Sequence, residues 1–174
     1  MMSGRSVRAG FTIVELLVVV VVIAILAAVT ILVFSGIQNR AYDSAVELDV
    51  NTVRKKLELV KIDLGRYPNS HTEMPELRVT KSAYDVVGSN IYFCVNRVTD
   101  VYAYAVRSKS GKGYIYLSGS NMQSGVAVNE TATCQATGLT GAYDPNRFTV
   151  VGYADDKFAG QWPTQYNPDL KWVK

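Results

Sequence analysis

The sequence is short of the residues that carry most enzyme chemistry. Among 174 residues it has one histidine, His71, and two cysteines, Cys94 and Cys134. A histidine with no His or Cys close to it in the chain excludes a clustered nitrogen and sulfur metal site, and it leaves no Ser or Cys with an interpretable base. A phosphate-cradling glycine loop is missing too. So is an excess of one charge: the formal net charge is +3, too small to imply a nucleic-acid partner by itself. The expectation is a chain that is not an enzyme and needs no cofactor.

Charge is scarcest between Phe11 and Phe34, where only Thr12, Glu15 and Thr30 interrupt an apolar run. As a helix this run is long enough to cross a hydrocarbon core of about 30 Å. A carboxylate there costs roughly 2.5–3.5 kcal/mol even on a lenient insertion scale, so Glu15 needs something to offset it and is the first candidate for function. Arg5 and Arg8 precede the run and favour a cytoplasmic N-terminus with the bulk of the chain exported. A cleaved secretory signal is the bland alternative. Leu26-Ala27-Ala28 is a poor version of its cleavage site, and an acid inside its apolar region is unexpected.

The order Arg8-Ala9-Gly10-Phe11-Thr12-Ile13-Val14-Glu15-Leu16-Leu17, followed by the apolar stretch to Ala28, resembles the N-terminus of a type IV prepilin. The resemblance implies cleavage between Gly10 and Phe11 by a prepilin peptidase, N-methylation of Phe11, and an assembly role for Glu15 at the fifth mature position. Loss of Arg5 and Arg8 with the leader would leave 16 basic residues, from 18, against 15 acidic ones. Leu32 stands where many type IV pilins carry a proline, so a proline-centred melted segment does not carry over. Ser35-Gly36 predicts a bend or local loosening of the helix instead.

From Ala41 to Leu64, Val46, Val50, Val53, Leu57, Val60 and Leu64 recur every three or four residues and form one stripe facing a sheet. Ala41, Leu48, Leu59 and Ile62 lie roughly opposite, giving a second apolar face that suits neighbouring subunits. Asp43, Glu47 and Asp49 form an acidic block, and Arg54, Lys55 and Lys56 a basic one about two turns later; staggered copies would bring the blocks together. Gly65 supplies a left-handed stop and Tyr67-Pro68 prevents continuation. Gly65-Arg66-Tyr67-Pro68 also resembles a turn shared by pilins and secretion pseudopilins. A helix from Phe11 to Leu64 would be about 80 Å long.

Beyond a linking region at 69–89, strands are expected at Ile91–Val98, Val101–Arg107, Tyr114–Leu117 and Phe148–Gly152, the middle two forming a hairpin. Alternation puts Val101, Ala103, Ala105, Ile115 and Leu117 on one face, expected against the helix, and Tyr102, Tyr104, Tyr114 and Tyr116 on the other, half-exposed. Lys109 and Lys112 at the hairpin tip raise DNA uptake as a minor expectation. The tail from Ser118 reads as loops with occasional edge strands, broken by Pro145, Pro163 and Pro168. Asp144, Asp155 and Asp156 offer oxygen ligands without matching a calcium loop. Asn129-Glu130-Thr131 has the form of a glycosylation acceptor. Cys94 and Cys134, on the exported side, are expected to pair, which in the chain-entropy model stabilises the head by about 4 kcal/mol.

The expected fold is α+β: leader 1–10, transmembrane and assembly helix 11–34, amphipathic half 35–64, and an antiparallel sheet and loop head at 65–174. The expected function, carried by the resemblance, is a subunit polymerising with itself and other pilins into a type IV pilus-like filament for adhesion, twitching motility or DNA uptake. Its partners would be the membrane, the prepilin peptidase and methylase, and pilus assembly machinery; it would sit in the membrane before assembly and outside the cell after it. A pseudopilin of a secretion or competence system is the nearest alternative. A single-pass anchored binding domain, needing neither processing nor Glu15, is the alternative from another class.

Overall fold

A computed structural model describes residues 10–75, 77, 79–84, 90–140 and 144–152. Leader residues 1–9, the end of the linking region at 85–89, Asp155, Asp156, Pro163 and Pro168 lie outside the described residues. The fold is α+β, with helix α1 at Ile13–Leu64 preceding an antiparallel sheet. The chain divides into two compact units, one ending at Gln38 and one beginning at Asn39.

In the first unit α1 is long and apolar enough to cross a membrane. Its large side chains from Ile13 onward are exposed, as suits a helix surrounded by lipid or by other helices. The Thr30 hydroxyl donates to the Leu26 carbonyl at 2.7 Å, which satisfies it without a partner outside the helix. α1 stays helical through Ser35-Gly36.

In the second unit the sheet comprises β1 (Ile91–Asn96), β2 (Val101–Arg107), β3 (Gly113–Leu117), β4 (Gln123–Ser124) and β5 (Arg147–Gly152), in the order β4-β3-β2-β1-β5. The first four strands follow one another as hairpins. β5 crosses back to pair with β1, Cys94 opposite Thr149. β1 stops at Asn96, shorter than the pattern through Val98 suggests, because residues 97–100 turn the chain into β2 and leave Val98 exposed.

One cluster holds the core: Val46, Val50, Val53 and Leu57 of α1 with Phe93, Tyr102, Tyr104, Tyr114 and Tyr116 of the sheet. The helical stripe is as the spacing requires from Val46 to Leu57, but Val60 is only half-buried and Leu64 is exposed. The sheet, however, faces the other way round from expectation. The four tyrosines turn toward α1 and none is more than 6% exposed. Aromatic volume, not small apolar side chains, fills the gap between helix and sheet, each large side chain contributing about 1.5–3 kcal/mol by burial. Tyr102 sits in the middle, 4.5 Å from the Tyr67 ring and 5.6 Å from Phe93.

The small residues serve the opposite face. Ala103 pairs with Cys94 and Ala105 with Tyr92, and over this face lies a short helix, α2 (Glu130–Gln135), in a tail that reads as loops. The Asn129 side chain caps it, accepting from the Ala132 N–H at 2.8 Å. The Cys94–Cys134 disulfide joins α2 to β1, with Cα atoms 5.2 Å apart, and both cysteines are buried with Leu139. Alanines opposite Cys94 and Tyr92 let a helix approach closely enough for that bond.

Candidate functional site

α1 begins where Thr12 and Glu15 bond reciprocally. The Glu15 N–H donates to the Thr12 hydroxyl at 3.2 Å, while the Glu15 carboxylate accepts from both the Thr12 N–H and hydroxyl at 2.8 Å. This is a capping box, in which two N–H groups with no intrahelical partner satisfy each other's side chains. The pattern Thr-x-x-Glu before an apolar run is its signal in the sequence, beyond the buried charge that Glu15 presents by itself. Within one chain the carboxylate therefore has local donors but no cation among the described residues. Gly10 has open space where a Cβ would project, and Phe11 is 86% exposed.

The two charge blocks on the second half of α1 are not free faces. Asp49, of the acidic block, is buried within the second unit, where its carboxylate accepts from the Thr80 N–H at 2.6 Å, the Thr80 hydroxyl at 3.2 Å and the Tyr84 hydroxyl at 3.1 Å. Burial pushes its carboxyl above the ordinary value, against the pull of those three bonds. Asp43 accepts from the Ser110 hydroxyl at 2.5 Å. In the basic block Arg54 lies over the Tyr116 ring, 5.6 Å from its centroid, leaving Lys55 exposed. Asp43, Asp49 and Arg54 thus have partners within the second unit. The second apolar face is as expected, with Leu48, Leu59 and Ile62 all at least 60% exposed.

The turn after α1 is tightly held. Gly65 takes φ 74°, the left-handed stop. The Tyr67 hydroxyl donates to Glu58 at 2.9 Å, and its N–H donates to Asp100 at 2.8 Å. Asp100, at φ 53°, also pairs with Lys61 at 3.1 Å, so a backbone conformation uncommon outside glycine is fixed from two sides. Arg66 grips Glu73 through two 2.8 Å bonds, and with the Asn69 N–H it lowers the Glu73 carboxyl to about 2. Asp144 accepts from the Asn146 N–H and the Thr140 hydroxyl, closing a turn.

A groove of about 370 Å³ beside β3 and α2 is lined by Ile115, Leu117, Val126, Ala132 and other uncharged residues. It offers no acid, base or nucleophile. Among the described residues no group of three His, Cys, Asp or Glu side chains comes together. What stands out is the surface: an uncovered apolar helix with a capped carboxylate at its start, and a disulfide-tied head with an apolar stripe on its outer side.

Comparison with known proteins bears on that surface. The family described as "Prokaryotic N-terminal methylation motif" matches residues 5–31. The chain is 33% identical over 87 residues to the type IV wide pilus major component PilA4 of Thermus thermophilus, across 50% of this chain and 66% of that one. It is 31% identical over 77 residues to the type II secretion system core protein G of Klebsiella michiganensis, across 44% of this chain and 54% of that one. It thus covers less than two thirds of either relative. No solved structure matches it.

Proposed function

We propose that this type IV pilin-like chain is a structural subunit that polymerises into a pilus-like surface filament. The reading rests chiefly on Glu15, a carboxylate at the start of an exposed apolar helix inside a methylation motif. Cleavage between Gly10 and Phe11 creates an amine one helical turn before that carboxylate. In a staggered bundle the amine of an adjacent subunit meets Glu15 in a low-dielectric interior, and the pair offsets the burial cost and fixes axial register. The Thr12 bonds hold the carboxylate until then. Methylation of Phe11, a cytoplasmic leader, an exported head and the absence of catalytic activity belong to the same reading. So do self-association along the Leu48, Leu59 and Ile62 face, and handling by a prepilin peptidase and an assembly machine.

Glu15→Val tests it. The variant inserts and is cleaved normally but is missing from sheared filaments, while Glu15→Asp, about one methylene short, assembles in part. Wild-type filament yield from Glu15→Val against an equal membrane pool overturns the assignment. Likeness to a secretion core protein supports a second reading, a short secretion pseudopilus built by the same contacts. Long surface filaments containing the subunit favour the first reading, and loss of a secreted enzyme on deletion favours the second.

A further inference from the structure

The second unit begins with a cluster of cations. Arg40 lies on α1 just after the apolar run, three residues and about 4.5 Å of helix rise beyond Ile37, and is exposed. One turn further, Asp43 shares its helix face and accepts the Ser110 hydroxyl, which ties the tip of the β2–β3 hairpin to this end of α1. Lys109 and Lys112 flank that tip, and both are exposed. Neither lysine is merely splayed into solvent: the Lys109 ammonium sits 5.3 Å from the Tyr42 ring centroid, and that of Lys112 sits 5.1 Å from Tyr114. The backbone N–H of Lys109 donates to the Ala83 carbonyl, which brings the turn carrying Lys81 alongside. The acids in this region are Asp43, engaged by Ser110, and Glu47, one turn farther from the apolar run.

We propose that Arg40, Lys109 and Lys112, with the Tyr42 ring among them, form a docking surface for anionic phospholipid headgroups, used while the chain is held in the membrane. The inference rests on the membrane-anchored reading above and adds a partner for the head. A chain leaving hydrocarbon near residue 37 puts Arg40 at headgroup depth by sequence continuity alone, and the Ser110 bond brings the hairpin lysines to the same level of α1. Cations close to an anionic leaflet are attracted additively, and a tyrosine ring suits the interface. A lipid surface is favoured over nucleic acid because Arg40 follows the apolar run by three residues, and the Lys109 ammonium already lies over the half-buried Tyr42 ring on which a base would have to stack.

The test uses the full chain reconstituted into vesicles of phosphatidylcholine alone or with about one third phosphatidylglycerol. Flotation first reports anchoring; a chain that fails to float with either vesicle refutes the membrane reading itself. An impermeant amine-acylating reagent then labels exposed lysines, read by mass spectrometry, with exposed Lys55 as internal reference. Lys109 and Lys112 should label about threefold more slowly relative to Lys55 in the anionic vesicles. The difference should disappear in about 0.5 M NaCl and shrink in Arg40→Gln. A chain that floats with both vesicles yet labels equally in both overturns the proposal while leaving the anchor intact. Protection by a short DNA duplex, with the two vesicle types alike, overturns it in favour of nucleic acid.

Discussion

Asp49→Ala is the sharpest probe of the head. The substitution removes the acceptor for the Thr80 N–H, the Thr80 hydroxyl and the fully buried Tyr84 hydroxyl, and so cuts the tie between α1 and the segment leading to β1. Of these donors only the Tyr84 hydroxyl is fully buried, and leaving it unsatisfied costs about 1–3 kcal/mol, whereas the donors of exposed Thr80 can turn to water; the gain from no longer burying an ionised carboxyl offsets part of this. A net loss of about 1–2 kcal/mol is expected, which at a urea slope of about 2 kcal/mol/M lowers the unfolding midpoint by roughly 0.5–1 M. Asp49→Asn keeps an acceptor and sheds the charge, so it should lose much less. Because the folded carboxyl is raised above its unfolded value of 3.8, its contribution is fully present below that value and is lost as pH rises through the folded one. Asp49→Asn should therefore compare more favourably with wild type at pH 7 than near pH 4. Urea denaturation of the detergent-solubilised chain, followed by near-ultraviolet tyrosine dichroism, reads both effects. An Asp49→Ala midpoint equal to wild type, or an Asn-to-wild-type difference that does not change with pH, would refute the argument.

Gly113→Ala should lower stability by about 1–3 kcal/mol in the same assay, because a Cβ there would meet the Val126 carbonyl oxygen at 2.1 Å and a Val128 methyl at 2.7 Å. Cys94→Ser should cost about 2–5 kcal/mol, and a non-reducing peptide map of the wild type should contain a Cys94–Cys134 cross-link; two free thiols in the native protein would contradict it. The Glu73 carboxyl, depressed by Arg66, stabilises the turn above its unfolded value of 4.5, and this contribution should fade only as pH falls toward about 2. An NMR carboxyl titration of Glu73 with its midpoint near 4.5 would show the Arg66 grip to be absent in solution.

Much of this architecture is legible in the sequence because its signals are local. The spacing of Val46, Val50, Val53 and Leu57 specifies the buried helix face, and Gly65 with Tyr67-Pro68 ends the helix. The β2–β3 hairpin follows from alternation around a Ser and Gly tip. The direction of the sheet does not, since Ala103 and Ala105 alternate with Tyr102 and Tyr104, and both sets are fit to be buried. Volume decides: tyrosines fill a wide gap, while alanines admit a close helix. α2 is short and rests on one cap, Asn129, a residue whose triplet also reads as a modification signal. Asp49 looks like any charge on an exposed helix until Thr80 and Tyr84 close over it, and both lie about thirty residues away. At the candidate assembly site the motif surrounding Glu15 is plain, whereas its bonds to Thr12 required reading the same residues for their capping chemistry.

The strand order carries a kinetic consequence. β1 to β4 join through neighbouring hairpins, but β5 must return across the whole head to reach β1, so the sheet cannot close until residue 147 arrives. Once Cys134 is bonded to Cys94, the loop left to close runs from Cys134 rather than from Asn96 and is about four times shorter, which reduces its closure cost by about 1.2 kcal/mol. Oxidation before β5 docks should therefore speed the last step of refolding by up to about eightfold if that closure is rate-limiting. The bond would then act as a guide for the returning strand, and a chain held reduced would linger with the unpaired edge of β1 open to strands from other molecules.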